Sequence, residues 1–154
     1  DIEGSWLLVE AANALRDPQI LEKIKPIALK MASAVLEQCV DSDGGIFYEG
    51  DGKTIIDMDK HWWPQAEAVV GFLNAYQLSG EEKFAKAAIN TWSFIEKHII
   101  DKKEGEWFWR VSQDRKVYPE DPKVSEWKSP YHTCRACIEI INRIDEITKQ
   151  DSLA

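Results

Sequence analysis

Apolar residues recur at three- and four-residue spacing in five stretches of the chain, the pattern of a helix with one face on a core. Ser5 to Leu15 is rich in alanine and leucine and stops at Asp17-Pro18, where proline closes one helix and opens the next. Ile20 to Val40 carries Ile20, Leu21, Ile24, Ile27, Ala28, Met31, Val35 and Leu36 and is ended by Asp43-Gly44-Gly45. Pro64 to Leu78 opens with proline in its first turn, where a missing amide hydrogen costs little, and stops near Ser79-Gly80. Glu81 to Ile99 bears Phe84, Ala87, Ala88, Ile89, Trp92 and Ile95. Pro130 to Ile147 bears a stripe of Cys134, Cys137, Ile138, Ile141 and Ile144. An all-α fold is predicted, with two long connections, Gly44 to Lys60 and Glu104 to Ser129. Within them Ile46-Phe47-Tyr48 and Trp107-Phe108-Trp109-Arg110-Val111 read as short hairpin strands, and loops of this length tend to be functional.

The first, third and fifth helices align on Asn13, Asn74 and Asn142. That alignment sets Glu3, Pro64 and His132 at one level, ten residues earlier, at the starts of three equivalent helices. Apolar helices alternating with more charged ones point to a layered helical toroid whose inner helices present their N-termini to a common face.

With 154 residues and 44% hydrophobic content the chain is expected to form one domain over 1–154. A net charge of −8 and the lack of a basic arm argue against a nucleic-acid partner. Apolar runs fall well short of the ~20 residues of a membrane span, and no signal-peptide pattern opens the chain, so a cytoplasmic protein is expected. Cys39, Cys134 and Cys137 cannot all pair internally, and without a second ligand pair they read as buried, reduced thiols. Asp41, Asp43, Asp51, Asp57 and Asp59 lack the alternation and terminal glutamate of a calcium loop. Neither metal nor cofactor is expected.

His132 is the leading candidate for chemistry. An imidazole with an unperturbed pKa of ~6.5 moves protons in both directions near neutral pH, and a helix N-terminus disfavours its charged form, so a neutral resting ring is expected. The plainer alternative is that it caps its helix or bonds within the core. Glu67, one turn into the third helix, reads equally as a hydroxyl-binding carboxylate or as a favourable charge near a helix start. Seven tryptophans exceed what one core needs. Trp63 and Trp127 are the best platforms for a flat ligand; Trp62, Trp107 and Trp109 are platform or packing; Trp6 and Trp92 sit on helical stripes as core. His61 reads as a polar residue near a helix start, His98 as a cation in a last turn, and Arg135 as the i,i+4 partner of Glu139, with holding of ligand oxygens as its secondary reading.

Three segments, Trp127-Lys128-Ser129-Pro130-Tyr131-His132, His61-Trp62-Trp63-Pro64-Gln65-Ala66-Glu67-Ala68 and Asp1-Ile2-Glu3-Gly4-Ser5-Trp6-Leu7-Leu8, resemble the cellobiose 2-epimerase and N-acylglucosamine 2-epimerase family over nearly the whole chain. The resemblance implies an (α/α)6 toroid of which this chain is the C-terminal part, a single partial domain. It implies epimerisation at C2 of a reducing-end sugar through an enediolate, without a cofactor. His132 and Glu3 would be catalytic, and Trp63, Glu67 and Trp127 would bind the saccharide. In the family a histidine that shares the proton transfers directly precedes the Asp-Ile-Glu triplet. The resemblance therefore implies that the chain alone does not turn over, and that it self-associates or pairs with a missing N-terminal part. Gly105-Glu106-Trp107-Phe108-Trp109 and Ser125-Glu126-Trp127-Lys128 are most similar to the cellobiose branch, with N-acylglucosamine 2-epimerase and mannose isomerase as alternatives. More distant are a glycoside hydrolase or lyase on the same toroid, using Glu3 and Glu67 as its carboxylate pair, and a helical-repeat binding module.

Overall fold

The computed structural model describes residues 1–151, in which five α-helices dominate: α1 (Ile2–Leu15), α2 (Pro18–Gln38), α3 (Trp62–Ser79), α4 (Glu82–Phe94, extended by a π turn, Ile95–Ile99) and α5 (Tyr131–Asp151). Each expected helix is present. Local chemistry sets the breaks between them: Arg16 closes α1 in the left-handed region, and the Asp17 carboxylate accepts from the amides of Gln19 and Ile20 to cap α2, with Pro18 at its first position. Gly80 closes α3 at φ 70°. α1 begins before Ser5 because its core stripe, Trp6, Val9 and Ala12, continues back to Ile2.

α3 packs against α1, α2, α4 and α5 and is the centre of the fold. Every residue from Pro64 to Ala75 is buried, so α3 has no solvent face along that stretch. α1, α3 and α5 form the inner row, with α2 outside α1 and α4 outside α3. Gly71 lets α1 and α3 meet closely: a Cβ there would stand 2.7 Å from the Ile2 side chain and 3.0 Å from its carbonyl oxygen. The repeat holds in level but not in burial. Asn74 is buried against Arg143, while Asn13 and Asn142 are exposed on flanking helices.

The stripe expected on α5 is offset. Ala136, Ile140, Arg143 and Ile147 face the core, whereas Ile138, Ile141 and Ile144 are exposed; α5 packs chiefly on α3, and among the described residues no helix covers its other side. Cys134 shares that exposure, against the expectation of three buried thiols; Cys39 and Cys137 are half-buried, and burial pushes both thiols up.

The long connections also pair differently from the hairpins expected. β1 (Glu49–Gly50) runs antiparallel to β2 (Ile55–Asp57), and β3 (Lys60–His61) runs antiparallel to β4 (Arg110–Val111), so the second pair joins one connection to the other. Ile46-Phe47-Tyr48 keeps only a single antiparallel bridge, Ile46 to Val40, and the fully buried Gln65 of α3 takes the Ile46 amide at 2.7 Å and its carbonyl at 2.8 Å. Ion pairs hold these loops down: buried Lys60 to Asp41, Arg110 to Asp59 and Asp121, Arg115 to Asp43, and buried Lys128 to Glu106. Asp51 and Asp57 instead accept amides of their own turns. Among the described residues no helix is long and apolar enough to cross a membrane.

Candidate active site

The starts of α1, α3 and α5 share one end of the fold and bring together Glu3, Glu67, His132 and Arg135. Glu67 is fully buried in the second turn of α3. Its Oε1 accepts from His132 Nδ1 at 2.7 Å and from Arg135 Nη2 at 2.6 Å, and its Oε2 accepts from Trp6 Nε1 at 3.0 Å. Arg135 Nη2 also donates to Glu3 Oε1 at 2.5 Å, and its Nη1 to the Tyr131 hydroxyl. The guanidinium stands 4.9 Å from the Trp6 ring centre and 4.4 Å from that of Tyr131.

A carboxylate only accepts, so the imidazole nitrogen facing Glu67 carries the hydrogen. In the neutral ring Nε2 is then the free lone pair, and it makes no hydrogen bond among the described residues. Glu3 Oε1 lies 3.9 Å from Nδ1, a neighbouring charge rather than a bond. Trp63 is tilted over His132 at 5.5 Å, and Tyr48 stands edge-on to Trp63 at 6.2 Å. Beside them a cleft of about 200 Å³ is lined by Glu3, Phe47, Tyr48, Glu49 and Trp63.

Burial by itself lowers the pKa of Arg135, but its hydrogen bonds to Glu67 and Glu3 outweigh this and the net shift is upward. Arg135 is therefore a fixed positive charge between two carboxylates. One ligand atom each from Glu3, Glu67 and His132 lie within 4.8 Å of one another, a donor set of metal-binding type. The Arg135 nitrogen already bridges both carboxylates and supplies the positive charge that an ion would bring.

Of the residues singled out in the sequence, Glu3, Glu67, His132 and Trp63 converge here. Trp127 does not: its side chain is 78% exposed and makes no ring contact with the cluster among the described residues, although the next residue, Lys128, is buried. Trp62 and Trp107 are buried packing, Trp62 against Trp109 at 4.9 Å. His61 stacks on Tyr48 at 3.9 Å; burial first, then Arg110, lowers its pKa. His98 is lowered too, by burial and then Lys97, which opposes the helix-end cation expected there. Arg135 does not make the expected pair: Glu139 pairs with Arg143 at 3.4 Å, leaving Arg135 to the buried carboxylate of α3. Its position three residues after His132, on the same helix face, was the available signal. Trp6 is core as expected, yet its N–H also ends on the site.

Comparison with known proteins covers nearly the whole chain. The family described as N-acylglucosamine 2-epimerase (GlcNAc 2-epimerase) matches residues 1–136. Cellobiose 2-epimerase of Bacteroides fragilis is 44% identical over 142 residues, which is 92% of this chain and 36% of that protein. Cellobiose 2-epimerase of Dictyoglomus turgidum is 42% identical over 145 residues, 94% of this chain and 36% of that protein. The crystal structure of a sugar epimerase from a ruminal bacterium superimposes with a TM-score of 0.87 at 40% identity, over 92% of this chain and 36% of that one. This chain thus spans 36% of the length of these relatives.

Proposed function

Because the chain belongs to the N-acylglucosamine 2-epimerase family, we propose that it carries one proton-transfer group of a sugar 2-epimerase acting at the reducing end of a saccharide of the cellobiose type. The observation that carries this reading is the His132 Nδ1 to Glu67 Oε1 contact at 2.7 Å, which leaves Nε2 as the base. In the opened sugar the C2 hydrogen is acidic because the C1 aldehyde takes up the electrons. Nε2 removes that proton, the C2–H electron pair forms the C1–C2 double bond of an enediolate, and the imidazolium is stabilised by Glu67 behind it. Return of a proton to the opposite face of C2, from a second acid outside the cluster, gives the epimer with no net oxidation. Trp63 offers an apolar wall for a pyranose face, and Glu3 and Arg135 are positioned to orient hydroxyl groups. Trp127 is proposed to close over the sugar from its exposed loop.

The test is cellobiose in deuterated water, with the chain itself and with a chimera in which it replaces the matched third of the Bacteroides fragilis enzyme. The chimera is expected to take up deuterium at C2 and to form glucosyl-mannose, whereas the chain alone, without the second acid, is expected to form none. His132→Asn should reduce exchange by ~10²–10⁴, the usual worth of a general acid or base. A folded chimera that converts cellobiose without taking up deuterium would overturn the reading.

A further inference from the structure

We propose that Trp6 is a positioning residue for the proton-transfer pair: its indole N–H ties down Glu67 Oε2 so that Oε1 is presented to His132 Nδ1. The proposal rests on the role given to His132 above. Trp6 is 2% exposed and lies on the core stripe of α1, where any large apolar residue would fill the space. Its two further contacts are what a plain core residue does not make. The indole nitrogen donates to Glu67 at 3.0 Å, and two guanidiniums stand against the ring, Arg135 at 4.9 Å and Arg143 at 5.9 Å from its centre.

Arg143 is itself fixed to two other helices. It donates to Glu10 of α1 and to Gln77 of α3, each at 2.7 Å, and its Nε forms an ion pair with Glu139 of its own helix α5 at 3.4 Å without a hydrogen bond. Both guanidiniums, one of them tied to α1 and α3, therefore help to hold the Trp6 ring in place. A carboxylate turns freely about its last carbon–carbon bond. With His132 and Arg135 both on Oε1, the carboxylate is pinned at one oxygen, and the second anchor at Oε2 is the indole. Without it a buried oxygen lies unpaired, and the carboxylate can rotate to offer Oε2 to Arg135. His132 would then no longer be held in the tautomer that keeps Nε2 free.

Two variants separate this from packing. Trp6→Phe removes the N–H and some volume. Replacement of Trp6 by benzothienylalanine keeps the bicyclic shape and puts sulfur where the N–H was, so it decides the question if the smaller ring fails to fold. The primary measurement is the imidazole ¹⁵N shifts of His132 in the 154-residue chain. Wild type should show Nδ1 protonated and Nε2 not; the variants should show averaging between tautomers. Where C2 exchange is measured, kcat should fall roughly tenfold or more with KM little changed, as for loss of one hydrogen bond to a buried charge. Wild-type shifts and wild-type kcat in the benzothienyl variant, or a lowered melting temperature with unaltered shifts, would reduce Trp6 to core packing. Absence of any C2 exchange in the folded chimera carrying the wild-type chain would instead remove the functional reading and leave the nitrogen shifts to judge Trp6.

Discussion

Glu67→Gln changes almost no volume, yet it places two donor hydrogens where the structure holds only an acceptor. Three groups donate to this side chain: His132 Nδ1 and Arg135 Nη2 to Oε1, and Trp6 Nε1 to Oε2. With its oxygen toward His132 and Arg135, glutamine sets its NH₂ against the Trp6 N–H. Reversed, it sets the NH₂ against two donors. Even the better orientation leaves one buried donor unpaired, at ~1–3 kcal/mol. The variant also removes one of the two carboxylates of Arg135, where hydrogen bonds to charge are worth ~1.5–3 kcal/mol each. The expected loss is about 3–5 kcal/mol, the range for breaking a buried ion pair from one side.

At ~2–4 °C per kcal/mol for a chain of this size, the melting temperature should fall by roughly 6–20 °C. The assay is thermal unfolding by circular dichroism at neutral pH, in low salt and in about 0.5 M salt. Because Glu67 has no exposed surface, salt should not screen the difference away. A shift under about 3 °C would mean that the carboxylate is not committed to these three donors, and the proton-transfer argument built on it would fall with it.

Other consequences are testable separately. Gly71→Ala should destabilise, since overpacking against the Ile2 side chain and carbonyl at ~1–3 kcal/mol exceeds the helix-propensity gain of up to ~1 kcal/mol; a raised melting temperature would show that the start of α1 yields freely. Trp127→Ala should leave stability within ~0.5 kcal/mol, because the side chain is 78% exposed, while KM for cellobiose rises in the chimera; an unchanged KM removes Trp127 from the saccharide. His61 has a folded pKa below its ordinary value, from burial and then Arg110, so folding favours the neutral ring. Its contribution is complete above the unfolded value near ~6.5 and is lost as pH falls below that toward the folded pKa. His61→Phe should flatten the fall in melting temperature between about pH 7.5 and pH 5.5, leaving a remainder from His98; an identical slope refutes the buried-imidazole assignment.

What the sequence disclosed and what it withheld divide along the range of the interactions concerned. Helix limits follow from neighbours in the chain, such as Asp17 and Pro18 at the start of α2 or Gly80 after α3, and these were legible. α3 is buried from Pro64 to Ala75, so its existence rested on its length and lack of breakers, with little help from its period. Ile46-Phe47-Tyr48 had the composition of a strand but is cut to one bridge with Val40, and the Ile46 amide and carbonyl go to Gln65, a side chain on another element. Arg135 failed in the same way. The i,i+4 rule offered Glu139, worth a few tenths of a kcal/mol on an open helix, whereas the fold offered a buried carboxylate 68 residues away. The meeting of Glu3, Glu67 and His132 was foreshadowed by the common level of three helix starts. The exposure of Trp127 was not, because adjacency to the His132 motif carries no information about which way a loop side chain points.

The same geometry bears on the hydrolase alternative. A glycosidase needs two carboxyl groups facing each other across a bond, one to protonate the leaving oxygen and one to attack or to activate water. Glu3 and Glu67 are instead joined: one nitrogen, Arg135 Nη2, donates to both at 2.5 and 2.6 Å, so a guanidinium occupies the place of the sugar. Glu67 is sealed from solvent and its other oxygen is taken by Trp6. A glycosidic bond could reach between the pair only by driving Arg135 off both carboxylates and off the faces of Trp6 and Tyr131. His132 Nε2 requires no such displacement. Its partner nitrogen is held from behind, its ring is 23% exposed, and Trp63 flanks it at 5.5 Å. The carboxylates stand behind the imidazole, so in the proposed reaction the proton moves at the ring and the charges serve to hold it there.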